Sequence, residues 1–184
     1  MTVFLIGMMG AGKTTLGKAL AAALSAHFLD SDEEIVRTSG RSIAKWFAVE
    51  GEEAFRQYEA TWLETLPSKP MQVVATGGGM PIYNGNMKKM LRRGKVIYLE
   101  ASVDLLCQRL RFNIEHRPLL QDKDEITLQQ WVHDMLEHRA PIYQQAHETV
   151  SATDLLDNML IGQMALRLRA EREAGLDGGP IGSK

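Results

Sequence analysis

The sequence predicts an α/β fold, a three-layer sandwich in which helices cover both faces of a five-stranded parallel sheet. Apolar runs typical of buried strands alternate with helical patterns along the 184 residues, and this alternation is typical of parallel sheets. A second observation is the segment G-M-M-G-A-G-K-T at residues 7–14, which follows an apolar run and precedes a helical pattern. The strands are expected at residues 2–6, 27–30, 72–76, 95–99 and 148–152.

Glycine and proline residues mark the ends of several predicted helices. Gly40, Gly51 and Gly94 fall where helices should stop, because glycine commonly follows the last residue of a helix. Pro67 and Pro70 close the fourth helix before the third strand, since proline cannot continue a helix. The helices are expected at residues 13–25, 32–39, 42–49, 52–65, 84–93, 102–110, 127–145 and 155–172.

Two segments do not fit this alternation. Residues 111–126 are polar and lack a regular period, and a long loop inside a compact domain is typical of a functional segment such as a mobile lid. The glycine-rich residues 173–184 predict a disordered tail. We therefore expect a single domain over residues 1–172, a size that is ordinary for one domain.

Composition limits the classes of function. A formal net charge of -2 gives no general attraction to nucleic acid or to an acidic membrane surface. No apolar run approaches the length of a membrane span. The single cysteine, Cys107, excludes an internal disulfide. We expect a cytoplasmic protein without nucleic-acid or membrane partners.

Residues 7–14 contain every fixed position of the phosphate-loop motif G-x-x-x-x-G-K-[ST]. Glycines let the backbone curl so that N–H groups point at a phosphate, and the helix N-terminus adds partial positive charge. The lysine would reach the β- and γ-phosphates of ATP, and the threonine hydroxyl would bind Mg²⁺. The expected nucleotide-binding residues of this loop are Gly10, Ala11, Gly12, Lys13, Thr14 and Thr15.

Acidic residues follow the second predicted strand, whereas the third strand ends in three glycines. Asp30 and Asp32 are two apart at an extended strand end, so their side chains point to the same side. One could face Mg²⁺ and the other an acceptor hydroxyl; alternatively, they cap the helix that follows. The glycines at residues 77–79 are typical of a backbone that a ligand approaches closely.

Six further motifs accompany the phosphate loop: D-S-D at 30–32, G-R-S-I at 40–43, F-R-x-x-E at 55–59, G-G-G at 77–79, R-P-L-L at 117–120 and R-A-P-I-Y at 139–143. In order and in spacing, the set resembles the shikimate kinase family over residues 2–152. The resemblance implies a P-loop kinase domain with the strand order 2-3-1-4-5, ATP and Mg²⁺ as cofactors, and a monomer. It also implies transfer of the γ-phosphate of ATP to the 3-hydroxyl of shikimate, a step of aromatic amino-acid biosynthesis through chorismate.

The resemblance also implies roles for individual residues. Lys13, Asp32 and Arg117 would be catalytic, with Asp32 taking the proton of the acceptor hydroxyl and Arg117 closing over ATP from the lid. Thr14 and Asp30 would order Mg²⁺. The implied substrate-binding residues are Asp32, Arg56, Gly78, Gly79 and Arg139, with the two arginines clamping the substrate carboxylate.

Two other functions are compatible with a phosphate loop. One is a kinase for another small polyol acid, such as gluconate, although such an acid would not satisfy both arginines and Asp32. The other is a regulator that binds nucleotide without catalysis, for which loss of Lys13, Asp32 or Arg139 would be expected.

The segment after the last predicted strand departs from the family. Residues 151–155 lack the amide and proline of the family's adenine-binding segment, and Arg109 weakly matches a position near adenine.

Overall fold

The computed structural model describes residues 1–67, 70–111, 124–153, 155 and 157–176. Five strands form one sheet in the order β2-β3-β1-β4-β5, and every neighbouring pair is parallel. This confirms the predicted sheet and the order that the resemblance implied. The strands are β1 (Thr2–Ile6), β2 (His27–Asp30), β3 (Gln72–Ala75), β4 (Lys95–Glu100) and β5 (Glu148–Ser151).

Helices connect the strands and lie close to the predicted bounds, with ends shifted by up to three residues. A 3₁₀ turn, Met80–Ile82, follows the third strand and was not predicted. The helices are α1 (Lys13–Leu24), α2 (Ser31–Ser39), α3 (Ile43–Val49), α4 (Gly51–Thr65), α5 (Asn86–Arg93), α6 (Val103–Arg111), α7 (Glu125–Tyr143) and α8 (Asn158–Glu173).

The connections place helices on both faces of the sheet. The chain moves from β1 to β2 in one direction across the sheet and from β3 to β4 in the other. Because parallel crossovers are right-handed, the helices of these two connections cover opposite faces. Helix α8 packs against α1 on one side. The central strand β1 is buried along its whole length, as expected for a strand between two helical layers.

The sheet register brings three loops to one edge. Leu5 of β1 and Asp30 of β2 both pair with Ala75 of β3. The segments after these strands therefore begin side by side at the carboxyl edge, where ligands bind in open α/β sheets. They are the phosphate loop, the D-S-D segment and the glycine triplet at residues 77–79.

Parts of two predictions lie outside the described residues. The predicted lid at 111–126 includes residues 112–123, and Arg117 is among them. The predicted tail at 173–184 includes residues 177–184. No helix in the described parts of the chain is both long enough and apolar enough to cross a membrane.

Candidate active site

The phosphate loop wraps around the N-terminus of α1. Gly7, Gly10 and Gly12 have φ values of +139°, +83° and +99°, which side chains rarely tolerate. The Lys13 ammonium is buried beneath the loop and donates hydrogen bonds of 2.8 Å to the carbonyl oxygens of Gly7 and Met8. The loop thus has its cation and its helix N-terminus in place for an anionic ligand.

A second segment packs against the phosphate loop. Arg109 donates to the carbonyl oxygen of Ala11 at 3.0 Å and to that of Ala152 at 2.8 Å. A Cβ on Gly12 would lie 2.2 Å from Leu155 Cδ1, so a side chain there would displace Leu155 and would also be strained by the φ of +99°. Arg109 therefore links the phosphate loop to the segment that follows β5. The resemblance had matched Arg109 weakly to a position near adenine.

Asp30 has two partners, one for each carboxylate oxygen. Its Oδ2 accepts a 2.7 Å hydrogen bond from the Thr14 hydroxyl. Its Oδ1 caps α2 by accepting from the backbone N–H groups of Asp32, at 3.0 Å, and Glu33, at 3.4 Å. The helix-cap alternative is therefore correct for Asp30, and the same side chain also reaches the phosphate loop. Hard oxygen atoms from Thr14 and Asp30 suit Mg²⁺, and the threonine lone pairs stay available because its hydroxyl donates.

Asp32 and Glu59 converge on the first glycine of the triplet. The buried Ser31 hydroxyl accepts a 2.8 Å hydrogen bond from the Gly77 N–H, which ties the D-S-D segment to the triplet. A Cβ on Gly77 would lie 2.7 Å from Asp32 Oδ1 and 2.6 Å from Glu59 Oε1. Both carboxylates therefore occupy the space that a side chain at this position would need.

Arg56 lies against the third glycine of the triplet. It donates to Glu59 Oε2 at 2.6 Å and to Glu52 Oε1 at 2.9 Å. A Cβ on Gly79 would lie 2.3 Å from the guanidinium carbon of Arg56. Burial alone would lower the pKa of Arg56, but its two carboxylate partners raise that pKa, so the guanidinium is charged.

Glu59 is the fully buried acid of the site. Burial raises its pKa to about 7, although the neighbouring Arg56 acts in the opposite direction. Among the described residues, Glu59 Oε1 has no hydrogen-bond partner. The carboxyl group therefore titrates near neutral pH, which is typical of acids in functional sites.

Arg139 reaches the middle glycine of the triplet from α7. It is 5% exposed, and a Cβ on Gly78 would lie 3.2 Å from its Nη1. The same nitrogen donates to the Met8 sulfur at 3.7 Å. Tyr143, one turn later, donates a 2.6 Å hydrogen bond to the Gly78 carbonyl oxygen. The end of α7 thus packs closely on the glycine triplet.

The structure brings most of the predicted site residues together. Asp32, Arg56 and Arg139 surround the glycine triplet beside the phosphate loop, whereas Thr15 is exposed on the first turn of α1. Sequence reasoning missed two contacts of the site. Glu59 is part of the F-R-x-x-E motif but was given no role, although its spacing of three residues from Arg56 on a helix could have indicated the pair. The contact of Met8 with Arg139 has no local sequence signal.

A phosphate loop with its lysine, beside two arginines and an aspartate gathered at a glycine triplet, defines a P-loop protein of the small-molecule kinase class. A family model described as shikimate kinase matches residues 9–168. The chain belongs to the shikimate kinase family.

Shikimate kinases from other organisms are similar to this chain, in sequence and in structure, over most of its length. A shikimate kinase of Bacteroides thetaiotaomicron is 39% identical over 167 residues, which cover 91% of this chain and 95% of the relative. A crystal structure of shikimate kinase from that organism has a TM-score of 0.82 at 38% identity, covering 94% of this chain and 98% of its own. A shikimate kinase from Acinetobacter baumannii in complex with shikimate has a TM-score of 0.78 at 36% identity, covering 95% and 93%.

Proposed function

We propose that the protein transfers the γ-phosphate of ATP to the 3-hydroxyl of shikimate, giving shikimate 3-phosphate and ADP. The observation that carries this proposal is the convergence of Asp32, Arg56 and Arg139 on the glycine triplet, directly beside the phosphate loop. A relative at 36% identity has been solved in complex with shikimate. The reaction is a step of aromatic amino-acid biosynthesis through chorismate.

Arg56 and Arg139 bind the carboxylate of the acceptor in this proposal. Both guanidinium groups lie at the glycine triplet, and guanidinium presents paired donors that match a carboxylate. Gly78 and Gly79 have no side chains, so the acceptor ring can lie against their backbone. A fixed carboxylate orients the rest of the acceptor, which is the main contribution a kinase makes to phosphoryl transfer.

Asp32 binds the acceptor hydroxyl and takes its proton. Its Oδ1 lies at Gly77, and its backbone N–H donates to Asp30, which in turn contacts Thr14 of the phosphate loop. As the hydroxyl oxygen forms a bond to the γ-phosphorus, the bond from that phosphorus to the bridging oxygen of ADP breaks. The hydroxyl proton passes to the Asp32 carboxylate.

The phosphate loop and the lid bind the nucleotide. Lys13 would leave its carbonyl partners or share its hydrogens with the β- and γ-phosphates. Backbone N–H groups of residues 10–15 would hold the phosphates at the α1 N-terminus. The role of Arg117 over ATP rests on the family resemblance alone, because this residue lies outside the described part of the chain.

Thr14 and Asp30 would hold Mg²⁺ in this proposal. Their oxygen atoms are 2.7 Å apart next to the loop, and Mg²⁺ binds one or two protein oxygens together with phosphates and waters. When bound, the ion neutralises charge on the phosphates.

We also propose a cytoplasmic monomer that acts without a nucleic-acid or membrane partner. A formal net charge of -2 supports this, because it gives no general attraction to nucleic acid or to an acidic membrane surface. Among the described residues, the large exposed apolar side chains are spread over several helices, and only Met159 and Leu166 share one. Sedimentation equilibrium would give the mass of one chain.

The alternative acceptors and the regulator are less favoured by the same observations. Gluconate would have to satisfy two arginines and Asp32 with a differently shaped carbon chain, and each unpaired charged hydrogen bond costs about 1.5–3 kcal/mol. The regulator hypothesis expects loss of Lys13, Asp32 or Arg139, and all three are present.

The test is ADP release from ATP and Mg²⁺ with shikimate, quinate and gluconate offered separately. The proposal expects turnover with shikimate and little with the other acids. If only gluconate were turned over, shikimate would be rejected as the acceptor, whereas transfer of the γ-phosphate of ATP would remain the reaction. ATP binding without turnover of any acceptor would favour the regulator.

A further inference from the structure

Met8 occupies a variable position of the phosphate loop, and its side chain is buried. It is 1% exposed and packs in the core. Its sulfur lies 3.7 Å from Arg139 Nη1, a contact between residues 131 positions apart in the chain. The phosphate loop therefore touches the arginine assigned to the acceptor carboxylate.

The backbone of Met8 is held by the loop itself. Its carbonyl oxygen accepts hydrogen bonds from the Lys13 ammonium at 2.8 Å and from the Ala11 N–H at 3.1 Å. Because these partners fix the main chain, the direction in which the side chain leaves the loop is also restricted. The sulfur is thus presented to Arg139 from a rigid support.

The surrounding backbone leaves Arg139 little freedom. A Cβ placed on Gly78 would lie 3.2 Å from Arg139 Nη1, 3.4 Å from the Gly7 carbonyl oxygen and 3.5 Å from the Met9 nitrogen. The arginine head, the glycine and the loop backbone are therefore packed together. A change in the shape of the Met8 side chain would be transmitted directly to the guanidinium.

A thioether suits an arginine that must keep its charge available. Arg56 is oriented by the carboxylates of Glu59 and Glu52, which partly neutralise it. Within the described part of the chain, Arg139 forms no ion pair of this kind. Sulfur is a weak, uncharged acceptor, so Met8 can orient the guanidinium without competing with a ligand carboxylate.

We propose that Met8 is a positioning residue whose sulfur orients the Arg139 guanidinium toward the acceptor carboxylate. The phosphate loop then supplies one wall of the acceptor pocket as well as the nucleotide cradle. This inference rests on the proposed function, because it requires that Arg139 binds the acceptor carboxylate.

The test compares Met8→Leu with Met164→Leu, a control that makes the same substitution at a buried methionine of α8. Volume-conserving swaps of this kind are usually tolerated by the fold. We expect Met8→Leu to raise the KM for shikimate about three- to tenfold, as loss of a weak orienting contact implies. Its kcat and its Kd for ADP should stay within about twofold of the wild-type values. The control should change none of them.

A double-mutant cycle with Arg139→Ala separates this role from a general packing effect. If Met8 acts through Arg139, Met8→Leu has no further effect on kcat/KM for shikimate once the arginine is absent. An equal loss in both backgrounds, or an unchanged KM in Met8→Leu alone, would overturn the inference. An unchanged KM in Arg139→Ala would instead overturn the carboxylate role in the proposed function.

Discussion

The nucleotide end and the acceptor end of the site are built in opposite ways. The nucleotide end is one continuous segment, in which Lys13 reaches carbonyl oxygens five and six residues before it. The acceptor end gathers Asp32, Arg56 and Arg139 from three helices around a glycine triplet that follows β3. The first depends on local backbone conformation, whereas the second depends on how the helices pack.

This difference predicts how each end tolerates change. A substitution in the acceptor pocket should alter shikimate binding or transfer and spare ATP binding, because its residues come from other elements. The contact between Met8 and Arg139 is the place where the two ends meet.

Asp32→Asn should remove most turnover and leave ATP binding intact. The amide cannot take the proton of the acceptor hydroxyl, and loss of a general base typically costs about 10²–10⁴-fold in rate. Steady-state kinetics and nucleotide titration would measure the two effects. Glu33→Gln, an exposed acid on the same helical turn, is the control and should be near wild type. If Asp32→Asn turned over at nearly the wild-type rate, Asp32 would be only a structural residue of the turn before α2 and not the general base.

Arg139→Lys should raise the KM for shikimate about 10- to 100-fold and that for ATP little, because an ammonium cannot replace a paired guanidinium fork. Kinetics with each substrate varied in turn would measure this. Arg37→Lys, at an exposed site on α2, is the matched control. Equal effects on both KM values would mean that the two ends of the site are not separate.

Gly79→Ala should raise the KM for shikimate about tenfold without unfolding the protein. The backbone at Gly79 has φ -84°, which alanine adopts, but its Cβ would lie 2.3 Å from the Arg56 guanidinium carbon. The arginine must therefore move. Gly162→Ala is the control, since its Cβ meets nothing within 4 Å and should add about 0.5–1 kcal/mol of helix stability. An unchanged KM in Gly79→Ala would remove Arg56 from the pocket.

Glu59→Gln should change how stability depends on pH. The pKa of Glu59 is raised by burial from 4.5 to about 7, so the folded state binds a proton more tightly than the unfolded state. The stabilising contribution is full below pH 4.5 and is lost as pH rises through about 7. Urea unfolding at several pH values should show a fall on the order of 1–3 kcal/mol in the wild type and less in the variant.

Exposed Glu173→Gln at the end of α8 is the control for this titration and should keep the wild-type pH dependence. The raised pKa of Glu59 would be contradicted if the free energy of unfolding of the wild type increased from pH 5 to pH 7 and that increase disappeared in Glu59→Gln.

Much of the fold could be predicted because its signals are local. Strands such as β1 are continuous apolar runs, and Gly40 and Gly94 end helices where expected. The strand order came from the family resemblance, because periodicity does not report which strands are neighbours. The short 3₁₀ turn after the glycine triplet lacks a periodic signal and was missed.

In the site, too, the features with local sequence signals could be predicted and those that depend on distant contacts could not. The phosphate loop could be recognised from eight contiguous residues, whereas the partners of Asp30 required the structure to show a cap and a threonine contact together. The burial of Glu59 and the contact of Met8 with Arg139 depend on packing between distant segments. Such properties are not encoded in any local pattern.

The most direct test of the acceptor pocket is a comparison of shikimate with its methyl ester. The kcat/KM values for both acceptors would be measured in the wild type and in Arg139→Ala. We predict that the wild type prefers the acid by about 100-fold or more, and that the variant loses most of this preference because Arg139 no longer meets the carboxylate. If Arg139→Ala kept the full wild-type preference for the acid over the ester, Arg139 would not bind the acceptor carboxylate.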